Sequence, residues 1–131
     1  MDKMILGKTG IEVNKNGFGA LPIQRVEKKE AVYILQKAFY YGINYFDTAR
    51  VYSDSEEKLG AAFSYTREKL VISTKTASQD AEGFWKDLDE SLRKLQTDYI
   101  DIYQFHNPAF CPKPGDASGL YDAALEAKKQ G

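Results

Sequence analysis

The sequence predicts an α/β fold of parallel strands and crossover helices, and three observations predict it. Short runs rich in β-branched and aromatic residues alternate about four times with longer amphipathic segments. The connections between them are short, which favours parallel strands joined by right-handed crossovers. Polar groups of different chemistry, Asp47, Lys75 and His106, stand at the ends of three successive β-rich runs. An open doubly wound sheet and part of a (β/α)8 barrel both satisfy this pattern. Gly17-Phe18-Gly19 lacks the third glycine of a dinucleotide fingerprint, and no phosphate-binding P-loop pattern occurs. The barrel is therefore favoured, and 131 residues make about half of one, because a complete barrel takes ~250.

Each element has its own signal. Met4–Val13 can form a small hairpin, and Asn16–Ala20 is the first short strand. A helix is expected from about Glu27 to Tyr41, with Ala31, Leu35, Ala38 and Phe39 on one face and Gly42 where a C-terminal cap belongs. The second strand, Ile43–Phe46, ends at Asp47. Ser53 and Asp54, each followed three residues on by Glu56 and Glu57, offer two overlapping capping boxes for a helix reaching about Phe63. Leu70–Thr74 is a third strand. Ala81–Leu95 carries an apolar helical stripe of Phe84, Leu88, Leu92 and Leu95. Tyr99–Phe105 is the longest strand candidate, and after a loop containing Pro and Gly comes a last helix, Leu120–Gln130, with Ala123, Ala124 and Ala127 available to pack. Residues 1–131 read as a single partial domain.

Composition narrows the function. Hydrophobic residues make up 43% and charged residues 28%, ordinary for a soluble globular chain. The formal charge of −1 gives no reason to expect a nucleic-acid or membrane partner. Cys111 is the one cysteine, so neither an internal disulfide nor a thiolate cluster can form within the chain. The segment Met1–Leu6 has no apolar run suited to a signal peptide, and a reducing cytoplasmic setting is expected.

In a barrel, active sites lie at the carboxyl ends of the strands. Asp47, Lys75 and His106 stand there, and Tyr52 follows Asp47 by five residues. Side chains alternate along a strand, so His106 shares a face with Gln104 and Ile102, and Lys75 with Ser73 and Val71. Phe105, Tyr103, Ile72 and Leu70 take the opposite face and suit packing against helices. Singly, each polar residue has an ordinary reading: Asp47 as a turn former, Tyr52 as one of nine tyrosines, Lys75 as a solvated cation, His106 as a structural histidine. Together at successive strand ends they form a candidate proton-transfer site.

The segments Phe46-Asp47-Thr48-Ala49-Arg50-Val51-Tyr52, Ser55-Glu56-Glu57-Lys58-Leu59-Gly60, Ser73-Thr74-Lys75 and Tyr103-Gln104-Phe105-His106-Asn107-Pro108 resemble the aldo-keto reductase family, as do Leu6-Gly7-Lys8-Thr9-Gly10 and Gly17-Phe18-Gly19-Ala20. The resemblance runs from near residue 4 to the end, in family order. It implies the N-terminal half of a (β/α)8 TIM barrel, four βα units after a short hairpin, and NADPH-dependent interconversion of small carbonyls and alcohols. Tyr52 is then implied as general acid, with Lys75 beside it; an ordinary phenol, at about 10, is poorly matched to neutral pH, and a neighbouring ammonium favours the phenolate. Asp47 would hold Lys75, and His106 would hydrogen-bond the substrate carbonyl. Gly19, Ala20, Leu21 and Asp47 are the implied contacts to the nicotinamide end, with Ala20 standing where many members have threonine. The family's later strands, which would hold most of the cofactor, have no counterpart here, so the NADPH site is incomplete and the chain by itself is expected to be inactive or weakly active. Some signatures also resemble members that continue into an iron-sulfur extension, although no cluster ligands exist in this sequence. A half barrel leaves two strand edges unpaired, and self-association through them into a homo-oligomer is expected. A non-catalytic half-barrel binding or assembly module is the alternative.

Overall fold

Gly7 and Gly10, with φ of 54° and 76°, turn the chain between β1 (Lys3–Ile5) and β2 (Glu12–Asn14), which pair antiparallel as the expected hairpin. This is a computed structural model, and it describes residues 2–131; Met1 lies outside the described residues. The hairpin is followed by four parallel strands, β3 (Phe18–Gly19), β4 (Tyr45–Asp47), β5 (Val71–Thr76) and β6 (Ile102–Phe105), which lie side by side in chain order. A doubly wound sheet reverses its strand order at a switch point. This sheet does not, and its unbroken order is that of a barrel.

Four helices cross between or follow the strands: α1 (Lys28–Tyr40), α2 (Ser55–Phe63), α3 (Ala81–Leu95) and α4 (Leu120–Gln130). The helical spacing of apolar residues located the last two to the residue. Asp80 caps α3 by accepting from the Gly83 N–H at 2.8 Å. Gly42, at φ 97°, ends α1 by donating to the Phe39 carbonyl. Leu35, Phe46, Leu59, Phe63, Ile72 and Leu95 form the main core between α1–α3 and the outer face of the sheet, with the Phe46 and Phe63 rings 4.7 Å apart. A second cluster joins Phe84, Leu120 and Ala123 to Tyr103 and Phe105, as strand parity requires. Trp85 sits half-buried at its edge, its ring perpendicular to that of Phe84.

Three local expectations are corrected. Neither capping box forms at α2, where the Asp54 backbone caps the helix without a side-chain bond. The Asp54 carboxylate holds Lys58 instead, Ser53 Oγ donates to Gln24, Glu57 pairs with Lys28, and Glu56 turns into the core. Tyr99–Phe105 is not the longest strand: β6 begins at Ile102, and six-residue β5 is longer. The Asp101 side chain explains this, since its carboxylate takes the Ile72 N–H at 2.9 Å, a donor that a strand backbone would otherwise satisfy. Finally, Leu88 and Leu92 are only half-buried on α3, while Ser91 is fully buried between them.

Candidate active site

Three neighbouring strands carry candidate residues to one rim of the sheet. Asp47 is the last residue of β4, Lys75 the penultimate residue of β5, and His106 follows β6 directly, its N–H donating to the Thr76 carbonyl at 2.8 Å. Inward parity at each strand end turns Asp47 and Lys75 toward each other across the β4–β5 register. Lys75 Nζ donates to Asp47 Oδ1 at 2.6 Å and to the Thr48 carbonyl at 2.7 Å. The lysine side chain is only 14% exposed, so its charge is largely desolvated and depends on those two acceptors. Its third proton has no acceptor among the described residues, and Nζ lies 5.4 Å from the centre of the Tyr52 ring. The Tyr52 and His106 rings meet edge to face with centroids 5.5 Å apart. Phenol, ammonium, carboxylate and imidazole therefore converge, although they are spread across 60 residues of chain from Asp47 to His106.

The loop bearing Tyr52 is tied down on both sides. Arg50 donates its backbone N–H to the Lys75 carbonyl at 2.9 Å, and its guanidinium pairs with Glu56. Glu56 is 1% exposed and also accepts from Thr74 Oγ1 and Ser91 Oγ, both at 2.7 Å. One buried carboxylate thus joins β5, α3 and the Tyr52 loop. Thr48 and Ser55 share a hydroxyl bond, and Ser55 donates to the Ala20 carbonyl, tying this loop to the end of β3. On the inner face, Gln104 donates to Ser73 Oγ at 2.5 Å, with Asp47 Oδ2 3.5 Å away. The residues after Tyr52 and His106, namely Ser53 at φ 37° and Asn107 at φ 48°, both adopt the left-handed backbone that side chains disfavour. That concentration of cost at two site loops is what a geometry imposed by tertiary contacts looks like.

Another tyrosine near this sheet is unsuited to proton release. The Tyr103 hydroxyl is buried on the helix side near Thr76, with no partner at good hydrogen-bond geometry among the described residues, and burial, with the Asp87 carboxylate next, pushes its pKa above the ordinary phenol range.

Comparison with known proteins settles the lineage. The model of the aldo/keto reductase family matches residues 7–130. The chain belongs to the aldo/keto reductase family. It is 35% identical over 141 residues to L-galactose dehydrogenase of Arabidopsis thaliana, covering 96% of this chain and 44% of that relative. The holo form of aldo-keto reductase AKR11C1 from Bacillus halodurans superposes with a TM-score of 0.81 at 28% identity, covering 99% of this chain and 46% of the other. Aldo-keto reductase AKR2E4 of Bombyx mori, solved in complex with NADP, gives a TM-score of 0.78 at 25% identity, covering 98% of this chain and 47% of the other. The chain spans somewhat under half the length of these relatives and matches their N-terminal half, so its four βα units are those of a partial (β/α)8 TIM barrel.

Within this aldo/keto reductase half barrel, the expected cofactor contacts divide. Gly19 is exposed, and a Cβ built on it would meet nothing within 4 Å. Leu21 is exposed and the Asp47 side chain is partly open. Ala20 is different. It is fully buried in the main core, its N–H donates to the Asp47 carbonyl at 2.8 Å, and its carbonyl accepts from Ser55. It therefore presents no surface to a ligand, and its place is to lock the end of β3 to β4 and α2. Sequence reasoning did not single out Arg50 and Glu56. The signal was present, since Glu56 lies within the Ser55–Gly60 segment of the family resemblance, but Ser-x-x-Glu spacing pointed to a cap rather than to burial.

Proposed function

We propose that this chain is the proton-transfer half of an NADPH-dependent aldo-keto reductase that converts a small carbonyl compound to an alcohol, with Tyr52 as general acid. The observation that carries this reading is the Lys75 ammonium, pinned by Asp47 and the Thr48 carbonyl with its remaining proton uncommitted and the Tyr52 ring 5.4 Å away. A phenol that gives up its proton to the carbonyl oxygen becomes a phenolate, and a fixed cation beside it stabilises that charge without reorganising. Asp47 keeps the lysine charged and oriented in a site that would otherwise penalise it. His106, against the Tyr52 ring, orients the carbonyl oxygen and donates a hydrogen bond to it. Gly19, Leu21 and Asp47 supply an open surface that fits the nicotinamide end of the cofactor. NADPH, when bound there, supplies the hydride. Lys75 and Arg50 are both committed to carboxylates, so the phosphate-holding groups are expected from the remainder of a complete barrel.

The 131 residues by themselves should therefore show negligible turnover and weak NADPH affinity. Supplying the missing half in trans and following NADPH oxidation with a panel of small aldehydes tests the reading. Turnover that is lost in Tyr52→Phe supports it; turnover indifferent to Tyr52 refutes the assignment of the general acid. A second reading, a non-catalytic assembly module, draws support from the sheet itself. Among the described residues β3 and β6 each pair on one side only, leaving two edges open to another copy of the chain. A homo-oligomer by light scattering together with NADPH binding but no rescued turnover would favour that reading.

A further inference from the structure

Lys58 is buried and takes no part in the chemistry at the rim. It is 2% exposed, deeper than Lys75, although it lies on α2 at the outer side of the sheet. A lysine is seldom buried without partners, because its desolvation is offset only while acceptors stay on the ammonium. Two different loops supply those acceptors. Nζ donates to the Ile23 carbonyl at 3.1 Å and to Asp54 Oδ1 at 2.9 Å. Ile23 lies in the turn that follows Gly19 and Leu21, and Asp54 stands two residues after Tyr52.

The chain around Tyr52 shows what this bridge does. On its N-terminal side the loop is held to β5 by the Arg50 N–H on the Lys75 carbonyl. On its C-terminal side three bonds reach the segment after β3. Ser55 Oγ donates to the Ala20 carbonyl at 2.9 Å, Ser53 Oγ to Gln24 Oε1 at 3.0 Å, and Lys58 to Ile23. Of the three donors only Lys58 is charged, and it alone grips the Tyr52 side as well, through Asp54. Between Tyr52 and Asp54 sits Ser53 at φ 37°, a backbone that a side chain holds only when its surroundings impose it. The Tyr52 side chain meets Lys75 and His106 through its ring, so the ring goes where the backbone on either side puts it.

We propose that Lys58 is a positioning residue that latches the turn after β3 to the turn after Tyr52, and so fixes the phenol relative to the surface of Gly19 and Leu21. One ammonium carries three donors, which lets it hold a carbonyl of one loop and a carboxylate of the other together. Service of the latch to proton transfer rests on the reductase reading above; the latch itself does not.

His106 is the only histidine in the chain, and its ring lies against that of Tyr52, so its ring protons report where the phenol stands. Proton NMR spectra are recorded at about pH 8, above the ordinary histidine value of about 6.5, to keep protonation from moving them. Tyr52→Leu supplies the shifts of the same histidine without its neighbour. Two variants open the latch from opposite ends. Lys58→Met keeps the apolar stem and removes the charge, whereas Asp54→Ala, at a half-exposed side chain, frees the Tyr52 side and leaves Lys58 on Ile23. In Lys58→Met the NOEs between the Tyr52 and His106 rings should fall severalfold, and the His106 shifts should move at least halfway to their Tyr52→Leu values. Asp54→Ala should move both in the same direction. The Phe84–Tyr103 ring NOEs, on the helix side of the sheet, should stay as they are. Urea midpoints are measured alongside, since an ion pair that only stabilises the fold would lower the midpoint and leave the ring signature unchanged. Native NOEs and shifts in either folded variant would overturn the proposal, and if Lys58→Met does not fold, Asp54→Ala decides alone. Turnover enters none of these readings, so failure here leaves the general-acid assignment standing, and failed turnover leaves the latch standing.

Discussion

Replacing Glu56 with leucine should destabilise this half barrel by about 3–4 kcal/mol. The magnitude follows from what the carboxylate touches. Its partner Arg50 is 17% exposed, so the pair is largely but not wholly desolvated, and losing one member falls in the lower part of the roughly 3–5 kcal/mol range for buried pairs. Thr74 and Ser91, both fully buried, lose a 2.7 Å acceptor each, at about 1 kcal/mol apiece. Burying leucine returns roughly 1–2 kcal/mol. Glu56→Gln keeps one oxygen for the two hydroxyls but turns an amide toward the guanidinium, and should cost about 2 kcal/mol. Arg50→Met combined with Glu56→Leu removes both charges and should recover at least half the loss of the single Leu variant. Urea unfolding followed by circular dichroism measures each value, provided the slope m is unchanged. A loss under about 1 kcal/mol for Glu56→Leu, or a double variant no more stable than the single, would refute the view that Glu56 is a buried clamp.

Gly60→Ala should cost about 1–3 kcal/mol by overpacking, because a Cβ there would stand 2.3 Å from the Lys94 carbonyl and 2.9 Å from Leu95 backbone, neither of which can move aside; urea midpoints check it. Tyr103→Phe should leave stability unchanged or raise it by up to about 1 kcal/mol, since it deletes a buried hydroxyl with no well-aligned partner among the described residues, and the same unfolding measurement decides. Asp116 accepts from the Ser118 hydroxyl and from the Lys113 and Ser118 N–H groups, and these bonds hold its carboxyl below the usual value of 3.8. With a lowered folded pKa, its contribution is present above that usual value and lost as pH falls through the folded one. Amide protection in the loop before α4, taken relative to the intrinsic exchange rate at each pH, should therefore fall on acidification below about pH 4, and Asp116→Asn should flatten that response.

Much of this molecule was legible before any coordinates because its patterns are local. The apolar period placed α3 and α4 to the residue, and alternation along β5 and β6 put Lys75 and Gln104 inside and Thr74 and Tyr103 outside. Strand ends carrying Asp47, Lys75 and His106 marked the rim, since parallel strands in sequential order bring their carboxyl ends to one side. What sequence spacing could not decide was which distant partner each polar group would choose. Glu56 had the spacing of a capping residue, yet α2 packs so closely on α3 at Gly60 that the carboxylate meets Ser91 and Thr74 before it can reach back to its own helix end. Asp101 had the look of a strand residue, yet its side chain took the Ile72 N–H and shortened the strand. Ala20 stood in a run of expected ligand contacts and went into the core. Periods are properties of neighbouring residues, whereas a hydrogen-bond partner depends on which element comes alongside and in what register, and only the folded chain supplies that.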